Sequence, residues 1–296
     1  MTEQTVYLNG EWTPLAEARV PVLDRGFLFG DGIYEVVPVF SRVPFRWAEH
    51  HRRLVRSLGK LRMADPMDAA QWASLVAQVV ERHPWEDQFV YLQVTRGVAR
   101  RDHAFPPASV PPTVFAMSSP FPQTSASVLE NGVAAISLPD ERWLHCDVKS
   151  TSLLGNVLAK QAAVDAGAVE CLMFRDDRLT EGAAANVWLV RDGLVLAPPR
   201  DHLILEGIRY GLLEELCQAE GIGFEVRPLF RADVAAADEL LLTSAIREVH
   251  PVTRLDGRPV GNGRPGPVFR RLHSAYQRAK ADTIERARGR AEVSGS

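Results

Sequence analysis

The sequence predicts two domains of the α+β class. Strand-like and helix-like runs follow one another without the strict alternation of a βαβ fold. A polar, proline-bearing stretch, Ser118-Ser119-Pro120-Phe121-Pro122-Gln123-Thr124-Ser125, interrupts them. The length of 296 residues suits two domains better than one. The expected division is a smaller domain over 1–120, a larger one over 125–290, a linker over 118–124 and a disordered tail over 291–296.

The elements can be justified in order. Val6-Tyr7-Leu8 and Glu11-Trp12 flank Asn9-Gly10, a hairpin signal. Residues 24–32, Asp-Arg-Gly-Phe-Leu-Phe-Gly-Asp-Gly, read as a glycine-punctuated loop that feeds a β-branched and aromatic strand over 33–40. Leu54, Leu58 and Leu61 recur at helical spacing within 46–63, and a second helix is expected over 68–82. A strand is expected over 89–95. Beyond the linker come a strand over 132–138 and a helix over 153–167 that stops at its glycine. Strands over 170–174, 186–190 and 194–197 follow, the last two joined by Asp192-Gly193. A helix over 208–220, a buried strand over 239–243 and a polar helix over 268–288 complete the order.

Composition excludes several classes of function. Hydrophobic residues make up 46% and charged residues 24%, with a net charge of −3, so no basic surplus draws the chain to nucleic acid. No run approaches the roughly 20 apolar residues of a membrane span, and Met1–Trp12 lacks a secretory pattern. Cys146, Cys171 and Cys217 lie too far apart for a disulfide framework or a metal site and read as buried thiols of a cytoplasmic protein.

Lysine usage is more telling. Of 34 basic residues only Lys60, Lys149, Lys160 and Lys280 are lysine, so arginine serves wherever a plain positive charge will do. Arginine stays protonated and cannot act as a nucleophile, whereas a lysine kept from water can. Three of the four lie in amphipathic helical stretches, but Lys149 follows Asp147-Val148 on a short extended segment. Taken alone, such a lysine more often points to solvent. Leu179-Thr180-Glu181-Gly182 precedes the small run Ala183-Ala184-Ala185-Asn186 and reads as a turn between strands. A glutamate there could hold a protonated pyridine nitrogen, the small residues letting a flat ring approach the backbone. Leu205-Glu206-Gly207-Ile208-Arg209 opens a helix whose N–H groups suit a phosphate. Thr243-Ser244-Ala245-Ile246 makes a similar turn, and Arg53 could add a bidentate contact.

Together, Arg25 through Val37, Cys146-Asp147-Val148-Lys149-Ser150 and Thr180-Glu181-Gly182 with Asn186 resemble the fold-type-IV aminotransferases, in the right order and over residues 5–275. The resemblance implies a small α/β N-terminal domain and a larger C-terminal domain with a pseudo-barrel. It implies pyridoxal 5'-phosphate bound covalently to Lys149, with Glu181 on the pyridine nitrogen. Arg53, Ile208, Arg209, Ser244 and Ala245 would hold the phosphate, Leu205 would pack on the ring, and Tyr34 would line the substrate side. Two departures from the family touch cofactor hydrogen bonds: Ala183, Ala184 and Ala185 follow the Glu-Gly pair where the family often has serines, and the threonine it often has near Arg209 and Ala245 is missing.

Within the family, Thr95 through Pro106 resembles the carboxylate-trap loop of the D-amino-acid branch. Arg101 and His103 match its arginine and histidine. Two residues apart on an extended loop, they share a side and, with Tyr34, could converge on an α-carboxylate. The resemblance implies transamination between a D-amino acid and a 2-oxo acid, by a homodimer whose trap loop serves the neighbouring site. It implies no metal, nucleic-acid or membrane partner. An L-branched-chain aminotransferase or an R-selective amine transaminase is the alternative.

Overall fold

The computed structural model describes residues 4–294, with side chains described through Gly289. They divide into two units. One comprises the chain up to Phe121, Val148–Leu153 and the chain from Thr283; the other comprises Pro122–Asp147 and Leu154–Asp282. The chain thus leaves the first unit within the expected 118–124 linker and returns to it briefly for the lysine segment. Among the described residues no helix is long and apolar enough to cross a membrane.

The first unit opens with strands β1 (Thr5–Leu8) and β2 (Glu11–Pro14). Asn9 and Gly10 take φ of 51° and 99°, the left-handed pair that a tight hairpin requires. The glycine-punctuated stretch is not only a loop. Residues Arg25–Phe29 form a short helix, α1, whose N-cap Asp24 accepts from the Gly26 N–H at 2.8 Å. One turn is too short to register as a period. Strands β3 (Gly32–Phe40) and β4 (Val43–Pro44) follow, then helices α2 (Trp47–Lys60) and α3 (Ala69–Glu81), then strands β5 (Gln88–Thr95) and β6 (Thr113–Pro120). Asp68 and Gln71 close a capping box on α3.

The sheet order is β2-β1-β6-β5-β3-β4, every pair antiparallel. One face carries Ile33, Val37, Val90, Leu92 and Val94 against Leu54, Leu58, Trp72, Val76 and Val79 of the two helices. Strand β6 was not expected, and it absorbs the first residues of the expected linker. Ser118 near its polar end is buried all the same, its hydroxyl donating to the Gln88 amide oxygen at 2.5 Å.

The second unit contains α4 (Ala126–Asn131), β7 (Val133–Pro139), α5 (Leu154–Asp165), β8 (Glu170–Arg175), β9 (Arg178–Gly182), β10 (Asn186–Arg191) and β11 (Leu194–Ala197). Then come α6 (Ile208–Ala219), β12 (Phe224–Val226), α7 (Arg231–Ala235), β13 (Glu239–Ser244), β14 (Glu248–Leu255) and β15 (Arg258–Pro259). Helix α8 (Pro267–Ser294) is the last element. It runs through most of the expected tail; residues 295 and 296 lie outside the described residues.

The strands order as β12-β11-β10-β13-β14-β7-β8-β9, with β15 on β14. In a flat sheet β10 and β9, five steps apart in that order, would stand about 24 Å apart. Yet the chain links them directly, and the Gly182 N–H donates to the Ala185 carbonyl at 2.8 Å. The three-residue link, four Cα steps from Gly182 to Asn186, reaches at most about 14 Å. The sheet must therefore curl until its β9 edge meets β10, which gives the pseudo-barrel. Leu172, Val187, Leu189, Leu240, Leu242 and Val252 fill it.

Candidate active site

In the first unit, Lys149 is held at the margin of the sheet. Val148 is buried in the core, and the backbone that follows pairs with the start of β3. The Tyr34 N–H donates to the Lys149 carbonyl at 3.0 Å, Ser150 bridges Ile33, and the Thr151 N–H donates to the Gly32 carbonyl at 3.0 Å. The Thr151 and Ser152 hydroxyls both donate to the Gly30 carbonyl, at 2.9 and 3.0 Å. Gly30 is left-handed at φ 64°, and a Cβ there would lie 2.7 Å from the Ser152 hydroxyl oxygen. Only glycine allows that approach without displacement. So fastened, Lys149 sets its Nζ 4.0 Å from the centre of the Tyr34 ring. Tyr34 in turn stacks on Tyr91 at 5.7 Å. Burial, with Tyr34 beside it, pushes the Tyr91 hydroxyl up to about 12.

Arg53 lies within the same unit, buried on α2. Its Nε and Nη2 each donate to the Glu35 carboxylate at 2.7 Å, and His50 Nδ1 meets that carboxylate at 2.8 Å. Burial works against the Glu35 charge, but Arg53 and His50 together outweigh it and hold the group down at about 2.

Arg101 and His103 share one neighbour, Phe29. The Arg101 guanidinium lies 5.5 Å from that ring and the His103 ring centre 5.5 Å from it. Both residues are exposed. Tyr34 belongs to a different cluster, with Lys149 and Tyr91, so the described contacts bring two of the three expected carboxylate ligands together.

In the second unit, Glu181 lies on β9, a strand where a turn was expected. The reason is the curled sheet, which carries β9 up to Gly182 before the chain turns through 183–185. Its carboxylate is buried and accepts from Arg142 Nη1, from the Leu205 N–H at 3.1 Å and from the Asn186 amide at 3.2 Å. Arg142 is itself gripped by Asp140 through Nε and Nη2, both at 2.9 Å, and Thr180 donates to Asp140 at 2.8 Å. Burial drives Glu181 up to about 7 against the pull of Arg142 and Leu205. Asp140 is also opposed by burial, but Arg142 holds it below the usual carboxylate range. Sequence reasoning missed Arg142 and Asp140 as members of this site, and placed Asn186 in the motif without a role. The available signal was an Asp-x-Arg pair seven residues before the singled-out lysine.

Helix α6 begins at N-cap Gly207 with no side-chain cap. A Cβ on Gly207 would lie 2.2 Å from the Asn186 amide oxygen, so the residue must be glycine. Asn186 also donates to the Leu205 carbonyl at 2.8 Å and so ties this loop to Glu181. Ile208 and Arg209 form the first turn. Arg209 is buried, donates to the Ala245 carbonyl at 3.2 Å and lies over Tyr276 at 5.2 Å. This draws the turn after β13 to the start of α6. The Ser244 hydroxyl oxygen there is buried and has no hydrogen-bond partner among the described residues.

A buried carboxylate, a bare helix start and an orphaned hydroxyl suit a group that carries both a basic nitrogen and an anion. That is the equipment of an enzyme using a phosphate-bearing organic cofactor. Residues 32–255 match the model of the amino-transferase class IV family, and the chain belongs to that family. It is 36% identical to the D-alanine aminotransferase of Staphylococcus aureus, covering 93% of this chain and 97% of the relative. Against the D-alanine aminotransferase of Bacillus licheniformis the identity is 37%, covering 92% and 95%. Among solved structures, a T.th. branched-chain amino acid aminotransferase with pyridoxamine 5'-phosphate superposes with a TM-score of 0.86 at 26% identity, covering 94% of each chain.

Proposed function

We propose that this chain is a pyridoxal-phosphate-dependent transaminase that moves the amino group of a D-amino acid to a 2-oxo acid in two half-reactions. The pairing of Arg101 and His103 on Phe29 carries the reading, with the D-alanine aminotransferases as relatives along nearly the whole chain. A guanidinium and an imidazole side by side make a charge-assisted donor pair for an α-carboxylate.

When bound, the cofactor supplies an aldehyde for an amine to condense with and a ring that accepts the electron pair of a broken Cα–H bond. The residues present fit it. Lys149 would contribute the amine and would hold and move a proton at its Nζ. Glu181 would face the ring nitrogen and favour its protonated form. Ile208, Arg209, Ser244 and Ala245 would hold the phosphate: the α6 start is uncapped and the Ser244 hydroxyl lacks a partner among the described residues. Arg53 is assigned to the same anion and Leu205 to the ring face. Tyr34 lines the substrate side with Arg101 and His103. The reading takes the working enzyme as a cytoplasmic homodimer, consistent with three buried free cysteines and an outward apolar face on α5.

The likeness to branched-chain aminotransferases supports a second reading, with L-leucine as donor. Steady-state rates with D-alanine and L-leucine separate the two. D-alanine is expected to be preferred, and Arg101→Ala to raise its KM by roughly ten- to a hundredfold, the effect of one lost charge-assisted hydrogen bond. L-leucine outpacing every D-amino acid establishes the branched-chain reading instead.

A further inference from the structure

The loop bearing Arg101 and His103 is exposed, yet its backbone is fastened from within the first unit. Arg25, buried on α1, donates through Nη1 to the carbonyls of Asp102 and Ala104, at 2.6 and 3.2 Å. These two residues flank His103. The Nε of Arg25 donates to Asp31 at 2.8 Å. Asp31 is shared: Arg96 donates to it through Nε at 2.8 Å and through Nη2 at 3.0 Å. Arg96 also donates to the Leu61 carbonyl at 2.8 Å and lays its guanidinium 3.8 Å from the centre of the Phe105 ring. Arg62 lies 4.7 Å from the same ring.

Asp31 is therefore a hub with two cationic arms, one gripping the backbone on both sides of His103 and the other the side chain of Phe105. A loop ordered before substrate arrives loses less entropy on binding. Phe29, at the end of the helix that carries Arg25, is the surface on which Arg101 and His103 rest.

We infer that Arg25, Asp31 and Arg96 form a clamp of positioning residues that presets the 101–105 loop and thereby the enzyme's affinity for the α-carboxylate of its substrate. The inference rests on the proposed role of Arg101 and His103. None of the three clamp residues needs to touch substrate. Burial opposes the charge on Asp31, and the two arginines together hold its carboxyl below the usual range. Asp31 therefore stays ionised throughout the neutral range.

The test uses the cofactor-loaded enzyme and the variants Asp31→Asn, Arg25→Lys and Arg101→Ala. Asp31→Asn keeps the shape of the hub but removes its charge. Arg25→Lys keeps a positive charge beside Asp31 but lacks the guanidinium that reaches Asp31 through Nε and the two carbonyls through Nη1 at once. Hydrogen exchange of the 102–105 amides and the split between KM and kcat for D-alanine are read on each. Asp31→Asn is expected to speed exchange at these amides and to raise KM about tenfold, with a smaller change in kcat, as for loss of a charge-assisted hydrogen bond. Arg25→Lys should fall between it and wild type, and it carries the test alone if Asp31→Asn does not fold. Unchanged exchange in both variants overturns the clamp. So does faster exchange with an unchanged KM, provided Arg101→Ala raises that KM. If Arg101→Ala itself leaves D-alanine kinetics untouched, the carboxylate reading of the loop has failed, and the clamp's link to affinity fails with it.

Discussion

A carboxylate removed from water forfeits several kcal/mol of hydration, and Glu181 recovers part of it from Arg142, Asn186 and the Leu205 N–H. The recovery is incomplete, and its folded pKa stands at about 7 against 4.5 for the free side chain. The sign follows from which state keeps the proton. Between pH 4.5 and 7 the folded protein holds a proton that the unfolded chain has lost. The contribution to stability is full below about 4.5 and disappears as pH rises through about 7. Glu181→Gln removes this dependence while leaving Arg142 its two bonds to Asp140. Cofactor-free wild type should lose up to about 3 kcal/mol more than the variant between pH 4.5 and 8. Thermal melts across that range measure it, and parallel curves for the two proteins would contradict the assignment. Loaded with cofactor, the variant should bind but turn over far more slowly, because a neutral amide cannot keep the ring nitrogen protonated.

At the scale of elements, the hinge of the lysine site is the close approach of Gly30 to Ser152. Gly30→Ala adds a Cβ 2.7 Å from the Ser152 hydroxyl oxygen and 3.2 Å from its Cα, at φ 64°. Left-handed strain costs about 1–2 kcal/mol, and the clash pushes the Lys149 segment off β3. Gly167→Ala is the control: φ is 69° and nothing lies within 4 Å of the added Cβ. Both variants should melt lower, but only Gly30→Ala should lose turnover; equal turnover in the two removes the positional argument. Elements with a clear period were legible in the sequence. Leu54 and Leu58 point to α2, and Asn9-Gly10 to the first hairpin. Strand β14 was not, since Glu248, Pro251 and Arg254 break its pattern. Its Glu248 is buried nonetheless, because Lys280 and Gln277 reach it at 2.6 and 2.8 Å, partners about thirty residues away. The site divides in the same way. Lys149 and Glu181 were legible from local motifs, whereas Arg142 acquires its role only through a β9 residue far along the chain.

For the whole molecule, helix α5 turns an apolar face outward. Leu154, Val157, Leu158 and Val164 are 72%, 58%, 62% and 53% exposed. The spacing is helical, so they form one stripe, and a stripe of this kind marks a contact surface more often than a solvated one. Under the homodimer reading, Leu158→Asp should shift the protein toward monomer, with light scattering as the measurement. A wild-type chain that is monomeric and fully active would exclude the shared-site arrangement.

The return of Val148–Leu153 to the first unit also bears on how the protein is made. A ribosome that has just released Phe121 has emitted every strand of the six-stranded sheet. That sheet still lacks the backbone partner of Ile33 and Tyr34 and the Val148 side chain in its core. Translation must proceed through Pro122–Asp147, which belong to the other unit, before the missing piece exists. Nascent chains therefore cannot complete the two units one after the other.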